Sequence, residues 1–487
     1  MKNRIITTAI LSLLVAPATF GQNEVDALRY SLTEPLGSAR YAGMAGAFGA
    51  LGADFSSLYI NPAGIGVFRR SEMALTFGVS GMNTNASYRD NTTSTNDFQF
   101  HLPQMGVVGA SPGNGSWKFV NYGIGYTKTA NFNQTFNVTG TVTDASLTRL
   151  FAQQANGTNY DELYDAFPFG AGLAWETYLI DPIDTVTTDQ FIPAVPYGSV
   201  DQRYEVQTSG HMGETVFSAG GNYNDNLFVG VTLGLPVVRF NRRMTYRESN
   251  IDQSLPLASF TYTDNLSTTG SGINVKLGAI YRVSDVLRVH AAWHSPSSIS
   301  LSDAWTTGID SQFKDGSSYS SFSDGVYQYR IKTPGRAFMG AAVILGKYGI
   351  VSADYEMINY SNARLRQSNT FLDDYNFEAE NSTIEALYRN ANNVRIGTEW
   401  RIANEFRVRG GWAFQQDPFA NGATNGTSHI LTYSGGLGYR GDHLFIDLGY
   451  QHRTYDSELY LFDPSLTSAT NLSQAKGEFI FGVGIRY

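Results

Sequence analysis

The chain ends in GEFIFGVGIRY, and this ending limits the possible folds more than any other stretch. Phe479, Phe481, Val483, Ile485 and Tyr487 fall on every second position. Between them lie Glu478, Gly482, Gly484 and Arg486, with Ile480 the exception. Side chains on a strand point alternately to opposite faces, so this segment reads as a strand with one apolar face and one small or charged face. The pattern returns in Met73, Leu75, Phe77 and Val79, and in Val394, Ile396 and Trp400. It returns again in Phe406, Val408, Trp412 and Phe414, and in Leu444, Ile446, Leu448 and Tyr450. Arg395, Glu399, Arg407, Arg409 and Asp447 take the opposite face of these strands. Apolar-out, polar-in alternation is what a barrel in lipid requires.

Composition narrows the choice. The 487 residues include 50 Gly, 30 Phe and 29 Tyr, but only 16% are charged. That balance suits strands that meet apolar surroundings better than it suits a helical enzyme. Cysteine is absent, which excludes a disulfide framework, a thiolate metal site and a Cys nucleophile. Lys2 and Arg4, the apolar run Ile5–Ala16 and the small residues up to Gly21 read as a signal peptide over residues 1–21, cleaved before Gln22. Its loss removes two basic residues from a chain of formal net charge -9, and no nucleic-acid partner is expected. No later apolar run is long enough for a spanning helix. A secreted β-protein and an outer-membrane barrel remain. The aromatic Tyr487 at the end resembles the sorting signal of outer-membrane barrels and favours the second, in a Gram-negative-type bacterium.

Turn signals set the strand number. Short breaks fall near Ser111–Gly115, Asn222–Asn226, Val283–Asp285, Gly346–Tyr348, Ala403–Glu405 and Arg440–Asp442. Long polar stretches alternate with them: Asn83–Phe98, Val138–Gln202, Arg243–Leu255, Ser302–Asp324, Ser361–Arg389, Gln415–Thr427 and Tyr455–Ala475. This predicts an all-β, antiparallel transmembrane barrel of about fourteen strands over residues 71–487, with both chain ends on the periplasmic side. Within the second long stretch, Leu147, Leu150 and Phe151 have helical spacing, and an apolar run follows at Leu163–Trp175. These serve either as an outer ligand path or as a core of the loop.

Residues 22–70 precede the first strand and are rich in Gly and Ala. Gly43, Gly46, Gly49 and Gly52 would allow close backbone approach, and Pro62 would stop any helix near Ile60. A plug, or hatch, inside the barrel is the expected use. The stretch from Gly37 to Phe68, GSARYAGMAGAFGALGADFSSLYINPAGIGVF, resembles the N-terminal hatch of the FadL/TodX family of outer-membrane hydrophobic-compound transporters. The Gly/Ala-rich start, Asp54 and Asn61-Pro62-Ala63 carry the resemblance. It implies passive uptake of a hydrophobic small molecule such as a long-chain fatty acid, hatch movement, and sideways exit through a gap at a kinked strand. A similar opening occurs in PorV-like secretion-system barrels, so a protein-interaction barrel without transport is the alternative.

The expected ligand-facing residues are Phe48, Leu51, Phe55, Leu58 and Tyr59, with Arg40 as a head-group cation and Arg69 and Arg70 also near the hatch. Asn61, Pro62, Ala63 and Gly64 are the expected gating residues. Outer-membrane lipid and lipopolysaccharide are the expected surroundings of a monomer. No cofactor, metal or catalytic residue is expected: no GxSxG, HExxH or Walker pattern occurs, and His290 and His294 lie about 13 Å apart along one strand face. Lys332–Gly340, KTPGRAFMG, is the candidate for the lateral gap, because Pro and Gly interrupt a strand there.

Overall fold

The structure is a computed structural model describing residues 23–184, 186–368, 375–423 and 426–487. The expected signal peptide, residues 1–21, lies outside the described residues. No helix among the described residues is long and apolar enough to cross a membrane.

Fourteen antiparallel strands close into one barrel. They are β1 (Glu72–Tyr88), β2 (Asn91–Pro112), β3 (Trp117–Asn131 and Gln134–Val142), β4 (Val200–Tyr223) and β5 (Leu227–Ser249). Next come β6 (Leu257–Arg282), β7 (Leu287–His294 and Ser298–Phe313), β8 (Ser318–Lys332 and Arg336–Leu345) and β9 (Gly349–Asn359 and Arg364–Gln367). The last five are β10 (Asn390–Arg401), β11 (Phe406–Gln415), β12 (Ile430–Arg440), β13 (Leu444–Leu459) and β14 (Thr470–Arg486). Closure runs along the whole of β1 and β14, from Glu72 opposite Arg486 to Tyr88 opposite Thr470.

The alternation predicted from sequence is present. In β14, Phe479, Phe481 and Ile485 are exposed, while Glu478 and Ile480 are buried inside. The inward exception, Ile480, packs on Ala39 and Ala42 of the N-terminal segment. Arg395, Glu399, Arg409 and Asp447 are likewise buried in the interior. Trp117, Tyr223, Tyr281, Tyr348, Phe406 and Tyr487 are exposed near the short turns, where an interfacial aromatic girdle belongs.

All six short turns fall where expected. Two of the seven long stretches are not loops. Asn83–Phe98 is a hairpin that turns at Arg89–Asp90, and Ser302–Asp324 is another that turns at residues 314–317. These strands rise above the apolar band, where both faces are wet, so the polar alternation carried no strand signal. The wall is uneven. β4, β5 and β6 have 24, 23 and 26 residues, against 12, 10 and 11 in β10, β11 and β12. A tilted crossing needs only about 9–11 residues, so the first group stands well clear of the membrane.

The 143–199 connection folds over the barrel mouth. Helix Leu147–Ala155 forms where helical spacing predicts it. Leu147, Phe151, Leu163 and Leu173 are buried against Tyr88, Tyr246 and Phe260 of the strands. Of the two readings left open for this stretch, the observed packing is that of a loop core.

The N-terminal segment lies in the lumen. It carries α1 (Glu24–Arg29), α2 (Ala39–Ala42), α3 (Ser57–Ile60) and a 3-10 turn over Pro62–Val67. Strand glycines let it touch the wall backbone. A Cβ on Gly449 would stand 2.6 Å from the Ala39 carbonyl oxygen, and one on Gly397 would stand 2.7 Å from the Met44 oxygen. The chain has no Cys, so single-cysteine labelling is clean. Gly449→Val should preserve the barrel, because valine favours strands, but push α2 off the wall. A Cys at Ala42, slow to label in the parent, should then react about tenfold faster as the docked state loses population. Unchanged labelling would show that the contact is not needed.

Candidate functional site

The luminal segment is fastened to the wall by buried polar contacts. Asp354 Oδ2 of β9 accepts the Phe48 and Gly49 amides at 2.7 and 2.8 Å. Its Oδ1 lies 2.9 Å from His290 Nε2, and both side chains are wholly buried. His294 Nε2 donates to the Ile60 carbonyl at 3.0 Å. Asn61 Nδ2 donates to Gly49 O at 2.9 Å and to Ala279 O of β6 at 3.3 Å, while its Oδ1 accepts from Ala63 N. A Cβ on Gly64 would overlap the Ser57 side chain. Asn61, Pro62, Ala63 and Gly64 thus form a compact staple between segment and wall.

The structure places the expected ligand-facing residues as follows. Arg40 is held by Glu399 of β10, with Nε and Nη2 donating at 2.9 and 3.0 Å. It is no free cation. Glu399 also takes Arg409 Nε at 2.6 Å, and Arg409 reaches Asp447 at 2.7 Å. Phe48 and Leu51 pack with Ala292, Phe338 and Ala342; Phe55 and Leu58 pack with Ile65, Val108 and Val216. Tyr59 borders a cavity. That cavity is small, about 50 Å³, and polar, with Glu214, Lys276, His294 and Arg336 also in its wall. Arg69 pairs with Asp225 and Arg70 with the Asp442 carbonyl, both at the short-turn side.

A larger cavity of about 440 Å³ lies on the long-loop side of the plug. Its volume is in the range of small-molecule sites. Leu28, Phe132, Phe136, Val206, Phe240 and Leu459 form its apolar wall, and Gln415, Arg453, Lys476 and Glu34 its polar end. Sequence reading missed these residues, although strand parity marks Arg453 and Lys476 as inward-facing. Glu34 lies in the linker between α1 and α2. Burial pushes its carboxyl up, but Lys476 and Arg453 prevail and hold it down at about 2.

The wall beside this cavity is where the strand ladder breaks. β2 and β3 pair from Pro112 opposite Phe119 only as far as Gln104 opposite Thr127. Pro103 sits beside the stopping point, where a bulge shifts the β1–β2 register between Thr76 and Gly78. Beyond it, side chains bridge the two strands: Asn131 Nδ2 donates to Gln99 Oε1 at 2.9 Å, and Asn91 Nδ2 to Thr139 O at 3.0 Å. Phe98 and Phe100 stand exposed on the outer side of this seam, and Phe132 and Phe136 line the cavity within. The expected gap at Lys332–Gly340 is instead closed. β8 does break at residues 333–335, but Thr333 N donates to Ser297 O at 3.0 Å, and Ser295 N to Val275 O at 2.9 Å.

No protein-family model and no curated protein sequence matches the chain. Solved structures do. A Pseudomonas aeruginosa FadL homologue superposes with a TM-score of 0.56 at 13% identity, over 94% of this chain and 99% of that one. The P. putida toluene transporter TodX gives 0.53 at 12% identity, again over 94% and 99%. This is the FadL/TodX fold. The Ralstonia pickettii toluene transporter TbuX, with a TM-score of 0.50 at 16% identity over 94% of this chain and all of that one, shares it too. At such identities the likeness establishes architecture, and residue roles within the FadL/TodX fold must come from this chain's own contacts.

Two outcomes follow. Asp354→Ala strands two amides and His290 in a buried place and should cost about 3 kcal/mol, read as a lower midpoint of denaturant unfolding. Glu34 has a depressed carboxyl pKa. Its stabilisation is therefore present above the ordinary carboxylate range and lost as pH falls toward about 2. A nitroxide on a Cys at Leu32 should keep the same mobility from pH 7 to pH 4; release near pH 4 would contradict the clamp.

Proposed function

We propose that this chain is an outer-membrane channel for passive uptake of hydrophobic molecules, long-chain fatty acids among them. The observation that carries the reading is the placement of an apolar cavity against a wall segment whose ladder is broken. The FadL/TodX fold supports it, since solved structures of that fold are named as a toluene transporter and a monoaromatic hydrocarbon channel. The proposal includes a plug over residues 22–70, a barrel over 71–487, and no catalytic role.

In this reading a ligand enters between the long loops and settles along Phe132, Phe136 and Phe240. The plug blocks the straight route to the periplasm, because α2 and the Asn61–Gly64 staple fill the lumen below. The side route is cheaper. Opening the β2–β3 seam breaks side-chain bridges rather than a continuous backbone ladder, whose groups could find no partner in lipid. The ligand then leaves into hydrocarbon and never meets bulk water.

The test is uptake of labelled palmitate by cells lacking their own transporter. Empty cells would be compared with cells carrying this chain and with cells carrying it with Asn61 and Pro62 replaced. Insertion is verified in each. Uptake should require the chain and change with the staple substitution. A well-inserted barrel that gives no uptake and co-purifies with partner proteins would replace transport with the secretion-partner reading.

A further inference from the structure

Among the described residues the large cavity has one acid in its lining, and that acid belongs to the chain's own luminal segment. Glu34 Oε2 lies 2.8 Å from Arg453 Nη1 of β13 and 2.7 Å from Lys476 Nζ of β14. A third cation, Lys128 of β3, is also buried. Lys128 makes no ion pair among the described residues. Arg453 Nε is a buried donor without a hydrogen-bond partner. The next acid, Glu478, is engaged 2.7 Å from His101. The wall therefore presents a cationic clamp, and among the described residues the carboxylate filling it comes from the linker, not from a strand.

The end of α1 and that linker together separate two cavities. Leu28, Arg29, Leu32 and Glu34 face the large one, and Tyr30 and Ser31 face the small one. Thr33 lines both. On the small-cavity side the linker is held by Arg336. This residue donates to Thr33 Oγ1 at 2.9 Å and to the Ser31 carbonyl, and keeps Glu356 at 2.6 Å as its own counter-ion. The linker can thus lose Arg336 without leaving a bare buried charge.

We propose that Glu34 is a built-in stand-in for a ligand carboxylate: an amphiphile lying along the apolar wall puts its head group on Arg453 and Lys476, displaces Glu34, and swings the Leu28–Glu34 partition aside so that the two cavities join. This rests on the channel reading and assigns to it a ligand-operated latch. One carboxylate replaces another on the same cations, so neither Arg453 nor Lys476 is left unpaired. A neutral molecule with the same tail fills the apolar wall but cannot supply the anion, and leaves Glu34 in place. The latch therefore distinguishes head groups that the cavity walls do not.

The experiment uses the full-length chain in lipid nanodiscs, with a nitroxide on a Cys at Leu32 and two probes of equal tail, palmitate and hexadecanol. Palmitate should raise the label's mobility and hexadecanol should not. Glu34→Gln should raise mobility without any probe. It should also tighten palmitate about tenfold, the scale of one charged hydrogen bond, with hexadecanol affinity unchanged. Lys476→Gln should do the reverse to palmitate alone, and carries the test if Glu34→Gln fails to fold. Equal mobilisation by both probes, or an unchanged palmitate-to-hexadecanol ratio in the variants, overturns the latch while leaving the channel reading intact. If neither probe binds a correctly folded barrel, the channel reading falls and the latch with it.

Discussion

In hydrocarbon no water is available to an unpaired N–H or C=O, so a sheet that crosses a membrane must close on itself. Here the condition is met by β1 and β14, in register over their full length. Closure creates an interior and fixes which face of every strand looks into it. It also makes any missing stretch of ladder conspicuous. The β2–β3 seam is tolerated because side chains bridge it, Asn131 to Gln99 and Asn91 to Thr139.

The interior is filled by two kinds of contact with different tasks. Inward glycines such as Gly397 and Gly449 bring the luminal segment to backbone distance on one side. Buried charges tie it elsewhere: Arg40 to Glu399, Asp354 to the Phe48 and Gly49 amides, Glu34 to Arg453 and Lys476. Those ties differ in how they can be undone. Asp354 receives backbone amides, and no soluble group replaces it. Glu34 is one carboxylate among many that could sit on the same two cations.

Strand parity and turn signals made the barrel legible, since both are properties of single segments. Parity marked Arg395, Glu399, Arg409 and Asp447 as inward, and each is buried. The same rule failed for Asn83–Phe98 and Ser302–Asp324, because above the membrane no apolar solvent imposes a pattern. The luminal segment was legible from Gly and Ala content. Which of its residues would border a cavity was not, because that depends on where strands from distant parts of the chain come to lie. Phe48, Leu51, Phe55 and Leu58 look like a ligand face and pack as plug core. Glu34, in an unremarkable polar linker, meets cations more than 400 positions away.

The placement of the plug before β1 and of the closing strand at the chain's end has a consequence for assembly. The pairing that seals the barrel joins residues at opposite ends of the sequence, so it is the contact with the highest loop-closure cost and forms late. The luminal segment is attached to the first of those two strands. Its contacts with Glu399 of β10 and Gly449 of β13 join the same distant parts of the sequence as the β1–β14 pairing. Docking the plug shortens the loop that closure must still form, so the same segment that fills the lumen also lowers the entropic cost of sealing it.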